Sequence, residues 1–145
     1  MLKGISPMLS PELLKALAQM GHGDELVIAD GNFPCHSYGK NAIVIRADGH
    51  GVPEILDAIM QLLPLDTYVE KPVGLMEIVK GDTCPTPPIW EEYEKVLNKY
   101  EPEHHDIEYI ERFAFYERAK DAYLIIATGE KAIYANILLK KGVVK

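Results

Sequence analysis

The feature that most limits what this chain can fold into is a series of short apolar runs of strand length, interleaved with segments of helical period. Glu25–Ala29 reads ELVIA, Ala42–Ala47 reads AIVIRA, Tyr123–Ala127 reads YLIIA and Ile137–Leu139 reads ILL. Runs this short, rich in Ile, Val and Leu, read as strands. Val73–Val79 is a further strand candidate. Ser10-Pro11-Glu12 marks a helix start: Ser caps free N–H groups, Pro suits the first helical position and Glu suits the positive end of the dipole. Leu13, Leu14, Leu17 and Met20 follow as one apolar stripe, and Gly21 is expected to stop the helix in a left-handed conformation. A second helix opens at Pro53, carries Ile55, Leu56, Ile59, Met60 and Leu63, and ends at Pro64. Ile89–Tyr100, after the rigid Cys84–Pro88 loop, and Arg112–Asp121 read as two more. Strands alternating with helices predict an α/β fold, a central sheet flanked by helices. With no internal repeat and no linker, residues 1–145 are expected to form one compact domain.

Composition excludes several classes of function. The net charge of −7, with no basic stripe, disfavours phosphate backbones, so no nucleic acid partner is expected. No window approaches the ~20 apolar residues of a membrane span, and the N-terminal segment lacks the apolar run of a signal peptide. The two cysteines, Cys35 and Cys84, fit a reducing compartment. The expectation is a cytoplasmic protein away from membranes.

Several residues could carry chemistry. His22, in Gly21-His22-Gly23-Asp24, lies just beyond a predicted helix C-terminus, where the dipole favours the charged imidazole. It reads as a general acid/base or as a helix-end cap. Asp30 follows ELVIA at the carboxyl end of a strand, where α/β sheets collect ligands; it could accept from two hydroxyls or close an Asx turn on Asn32. The Arg46–Asp48 pair reads as structural. In Arg112–Ala119 (RFAFYERA), Arg112 and Tyr116 are four residues apart and share a helix face, where a guanidinium fork beside a phenol suits a polyhydroxylated ring. Phe113 and Phe115 could equally be core, and Arg118 is read as pairing with nearby acids. Tyr134-Ala135-Asn136 offers donors and acceptors just before the ILL run. The adjacent pairs Cys35-His36 and His104-His105 lack metal-ligand spacing, and no nucleotide-binding fingerprint is present. No metal or cofactor is expected.

Taken in order, ISPMLSPELLKALAQMGHGDELVIADGNFP, IRADG, LLPLDTYVE, ERFAFYERAKDAY and ATGEKAIYANILLKKGV resemble a sugar mutarotase family with an L-fucose mutarotase branch and a D-ribose pyranase branch. The resemblance covers nearly the whole chain. It implies a cofactor-free isomerase acting on a monosaccharide, L-fucose or D-ribose, or a non-catalytic sugar-binding accessory to uptake. It places the catalytic histidine at His22, the substrate-binding aspartate at Asp30, a sugar-binding arginine at Arg112 and a functional tyrosine at Tyr116. Tyr134, Ala135 and Asn136 would line the sugar pocket, and either Tyr116 or Tyr134 would move the second proton. RFAFYERA matches the fucose branch, whereas Ala135 matches the ribose branch. The resemblance also implies a homo-oligomeric ring, a decamer of two pentamers, with sites near subunit contacts.

Overall fold

The computed structural model describes residues 1–145. Six strands and five helices follow in the order α1 (Pro11–Gln19), β1 (Glu25–Ala29), α2 (Cys35–Tyr38), β2 (Ile43–Ala47), α3 (Val52–Met60), β3 (Val73–Met76), α4 (Ile89–Tyr100), β4 (Ile107–Ile110), α5 (Arg112–Lys120), β5 (Leu124–Thr128) and β6 (Ile137–Lys140). The strands make one mixed sheet in the order β2-β5-β1-β6-β3-β4. β2, β5 and β1 are mutually parallel, as are β3 and β4. β6 runs antiparallel to both of its neighbours, β1 and β3. Five strands therefore point the same way, and their carboxyl ends share one edge of the sheet.

The pleat divides the apolar runs between two cores, because successive residues of a strand face opposite sides. Leu26 and Ile28 of β1, with Leu124 and Ile126 of β5, join the larger core under α1, α3 and α4. Val27 and Ala29, with Ile125 and Ala127, face a smaller core under α2 and α5. Both faces are covered, which is why these strands are apolar throughout rather than alternating.

Ser10 caps α1 as expected, accepting from Leu13 N–H at 3.1 Å. Its stop differs from the expectation. Met20 leaves the helix with extended angles, and the left-handed residue is Gly23, at φ +87°, rather than Gly21. Gly21 N–H is instead bound by the Asp24 carboxylate at 2.7 Å. Local side-chain capping thus replaces the glycine stop. Strand β3 ends at Met76, short of Val79, because the ladder to β4 ends there. Two elements have no clear sequence signal. One is α2, a single turn; the other is β4, an edge strand whose IEYI stretch is only partly buried and so lacks a continuous apolar run. No helix is long and apolar enough to cross a membrane.

Candidate functional site

Most of the candidate residues gather at the shared carboxyl edge. Asp30 leaves β1 there, and Tyr134-Ala135-Asn136 enters β6 beside it. The Asn136 Oδ1 accepts from the Asp30 N–H at 2.8 Å, and its Nδ2 donates to the Asp30 carboxylate at 3.2 Å. The other carboxylate oxygen of Asp30 accepts from Asn32 N–H at 3.0 Å, so the Asx turn forms as well. The Asx-turn reading of Asp30 is realised: the turn orients the carboxylate, and the amide of Asn136 steadies it. Burial pushes the Asp30 carboxyl above the ordinary carboxylate range, against the N–H groups of Asn32, Phe33 and Ala135 and the Asn136 amide. A cleft of about 240 Å³ opens beside it, lined by Asp30, Phe33, Cys35, His36, Arg46 and Thr128, among others.

Arg112 and Tyr116 lie on the first turns of α5, which begins directly after β4. The Arg112 Nε donates to the Tyr116 hydroxyl at 3.3 Å, as the four-residue spacing predicts. That hydroxyl, then more weakly the phenols of Tyr134 and Tyr38, hold the Arg112 guanidinium more firmly protonated than usual, which places Arg112 near Tyr134 as well. The Tyr116 ring packs 5.4 Å from Phe33 and 5.0 Å from Tyr38, tying α5 to the wall of the Asp30 cleft. Phe115 is core, but Phe113 is 65% exposed beside Arg112. Arg118 binds Glu108 at 2.7 Å and Glu25 at 3.0 Å, the ion-pair role expected of it. Arg46 grips Asp48, likewise as expected.

Ala135 sits differently from its neighbours. Its side chain is fully buried in the larger core, and its carbonyl accepts from the buried Tyr93 hydroxyl at 2.6 Å. What it offers the site is backbone, not a side-chain surface.

His22 stands apart from all of these. It precedes β1, and its neighbour Gly23 donates to the Lys141 carbonyl at 2.9 Å, past the far end of β6. Asp30 is bound to Asn136, at the near end of β6. The five residue steps from Asn136 to Lys141 span about 17 Å at ~3.4 Å each. Within one chain, His22 and the Asp30 cluster therefore occupy opposite ends of the sheet.

At its own end His22 has a partner that the sequence did not single out. The His22 Nε2 lies 3.0 Å from Asp66 Oδ1, and the Asp66 side chain is only 3% exposed. Burial opposes ionisation of Asp66, but the Tyr68 N–H, His22 and Lys140 outweigh it and hold the carboxyl below the usual range. The Tyr68 ring lies 5.2 Å from the imidazole. A buried carboxylate on one ring nitrogen leaves the other free to exchange a proton with a ligand. The only signal in the sequence was an aspartate after an apolar run in LLPLDTYVE, 44 positions from its partner.

Comparison with known proteins gives the family. Residues 3–144 match the model of the RbsD / FucU transport protein family. The chain belongs to that family. The human fucose mutarotase is 52% identical, over 98% of this chain and 94% of that protein. A crystal structure of a fucose mutarotase from Streptococcus pneumoniae in complex with L-fucose superposes with a TM-score of 0.92 at 48% identity, covering 99% of this chain and all of that one. The structure of Bacillus subtilis RbsD complexed with D-ribose is less similar, with a TM-score of 0.73 at 28% identity over the full length of both chains.

Proposed function

We infer that this chain is an L-fucose mutarotase, an isomerase that interconverts the α and β anomers of L-fucose by opening and closing the pyranose ring. The observation that carries the reading is the cluster of Asp30, Arg112, Tyr116, Tyr134 and Asn136 on one sheet edge, in a chain so close to a protein crystallised with that sugar. Opening needs one proton delivered to the ring oxygen and one removed from the anomeric hydroxyl; the C1–ring-oxygen bond breaks as the carbonyl forms. Rotation about C1–C2 then presents the other face, and closing returns both protons. His22 is the acid that protonates the ring oxygen, and a site tyrosine relays the second proton, accepting it from the anomeric hydroxyl as the phenol's own proton passes to water. Side chains that donate and accept suffice for both transfers, so the chemistry calls for no cofactor. Asp30, Arg112 and Asn136 hold the remaining hydroxyls on the far side of the sugar, leaving C1 free to turn.

The same reading makes the working site intermolecular. His22 and the Asp30 cluster are further apart in one chain than a single pyranose can bridge, so His22 acts on a sugar held by a second copy. This calls for a homo-oligomer; the ring, a decamer, and the cytoplasmic location rest on the family resemblance. The reading also favours fucose over ribose, because Ala135, the one residue matching the ribose branch, directs its methyl into the core rather than toward the site.

Exchange NMR with L-fucose, D-ribose and D-galactose tests the proposal. L-Fucose should exchange fastest and well above its spontaneous rate. Faster exchange of D-ribose would make the chain a pyranase. Binding without any acceleration would leave the non-catalytic accessory in its place.

A further inference from the structure

Tyr134 is the only non-glycine residue with a positive φ, +54°. A bulky side chain in that region is strained, and such strain persists only where neighbours hold it in place. Here they do. The Trp90 Nε1 donates to the Tyr134 carbonyl at 2.8 Å, and the Tyr93 hydroxyl takes the next carbonyl. The side chain is fixed as well. Its hydroxyl donates to Asp82 Oδ2 at 2.6 Å and accepts from Val79 N–H at 3.2 Å. Asp82 is itself set by a turn, its other oxygen accepting from Cys84 N–H at 2.9 Å.

A phenol has one proton and two lone pairs. Asp82 takes the proton and Val79 takes one lone pair. What remains for a ligand is a single acceptor site. The proton stays on the phenol: the Tyr134 bond, then the Cys84 N–H, hold the Asp82 carboxyl below the usual range, and Asp82 in turn raises the pKa of Tyr134. Tyr116 is different. Its hydroxyl receives the Arg112 Nε–H, which leaves its own proton uncommitted.

We propose that Asp82 is a positioning residue that fixes the Tyr134 phenol as a hydrogen-bond acceptor toward the sugar, so that Tyr134 binds one donating sugar hydroxyl and Tyr116 moves the second proton. This rests on the fucose mutarotase reading, in which Tyr134 faces the sugar. It assigns a role to the Val79–Asp82 segment that follows β3 and divides the work of the two tyrosines. Without Asp82 the phenol turns its proton outward and meets the sugar hydroxyl donor to donor, unless it rotates.

Exchange kinetics on Asp82→Ala, Asp82→Glu, Tyr134→Phe and the Asp82→Ala/Tyr134→Phe double variant test this, with L-fucose binding to each followed by calorimetry. Asp82→Ala should raise KM about 2- to 10-fold, the range commanded by one neutral hydrogen bond, with kcat nearly unchanged. Tyr134→Phe should do the same, the double variant should add nothing further to KM, and Asp82→Glu should recover part of the loss. Loss of kcat with unchanged KM in Tyr134→Phe would overturn the proposal and make Tyr134 the proton carrier. Unchanged KM in Asp82→Ala would also overturn it, leaving Asp82 a loop anchor. If the wild type binds L-fucose but does not accelerate exchange, the mutarotase reading fails by itself; the Kd series would still decide whether Asp82 orients Tyr134.

Discussion

The two ends of the sheet each carry a buried aspartate, and the two behave oppositely. Asp30, 8% exposed, faces only neutral groups, and burial raises its pKa. Asp66, 2% exposed, faces His22 and Lys140, and its pKa is lowered in spite of burial. Two differences set the opposite signs: Asp30 is the more deeply desolvated and has only neutral hydrogen-bond partners, whereas Asp66 lies nearer the surface with a histidine and a lysine beside it. The Asp66 end sets a carboxylate against one ring nitrogen of His22. The Asp30 end is built from oriented acceptors, an amide and a guanidinium fork, which suits hydroxyl recognition. On the proposed reading, proton chemistry and sugar grip are thereby separated within one chain.

The largest effect is expected from breaking the Asp66 end. His22→Asn keeps some hydrogen bonding but cannot transfer a proton, so exchange should fall by about 10²- to 10⁴-fold while L-fucose binding changes far less. Wild-type exchange in this variant would reduce His22 to a structural partner of Asp66. A mixing experiment sharpens the comparison. His22→Asn and Arg112→Ala subunits, refolded together, should exchange fucose at least ~10-fold faster than either alone, because some contacts then join an intact His22 to an intact sugar cluster. No recovery in verified mixed oligomers would place both ends of the site in one chain.

Arg112→Lys retains charge but loses the planar fork and the Nε–H held on Tyr116. Its kcat/KM should drop about 10-fold, or ~1.4 kcal/mol; an unchanged value would remove Arg112 from the sugar grip.

The smallest effects are on stability, and their signs differ. A raised Asp30 pKa means that the folded state binds more protons between the ordinary value of 3.8 and the raised value. Stability contributed by Asp30 therefore falls as pH rises through that window, and Asp30→Asn should flatten the fall. The lowered pKa of Asp66 means that the unfolded state binds more protons between the lowered value and 3.8. Its contribution is present above pH 3.8 and is lost as pH falls through the lowered pKa, so Asp66→Asn should remove that acid sensitivity. Urea unfolding of both variants from about pH 3 to 6 reads the two slopes; slopes of the same sign would undo the comparison.

Much of this was legible along the chain. The runs ELVIA and YLIIA dictated strands, Ser10-Pro11 dictated the start of α1, and the spacing of Arg112 and Tyr116 dictated their contact, because each rests on a local period or a cap. Asp30 was marked by its place at a strand end. Other features are contacts between distant segments, which no local pattern encodes. Strand β4 depends on pairing with β3 at an edge, where half-burial blurs the apolar signal. The Asp66 partner of His22 and the Asp82 partner of Tyr134 lie 44 and 52 positions away. Above all, the sequence named His22 and Asp30 eight residues apart, whereas an extended strand between them carries the two to opposite ends of the sheet. Residue chemistry and local periodicity belong to the sequence; which groups meet is decided by the tertiary fold, because a strand converts nearness in sequence into distance in space.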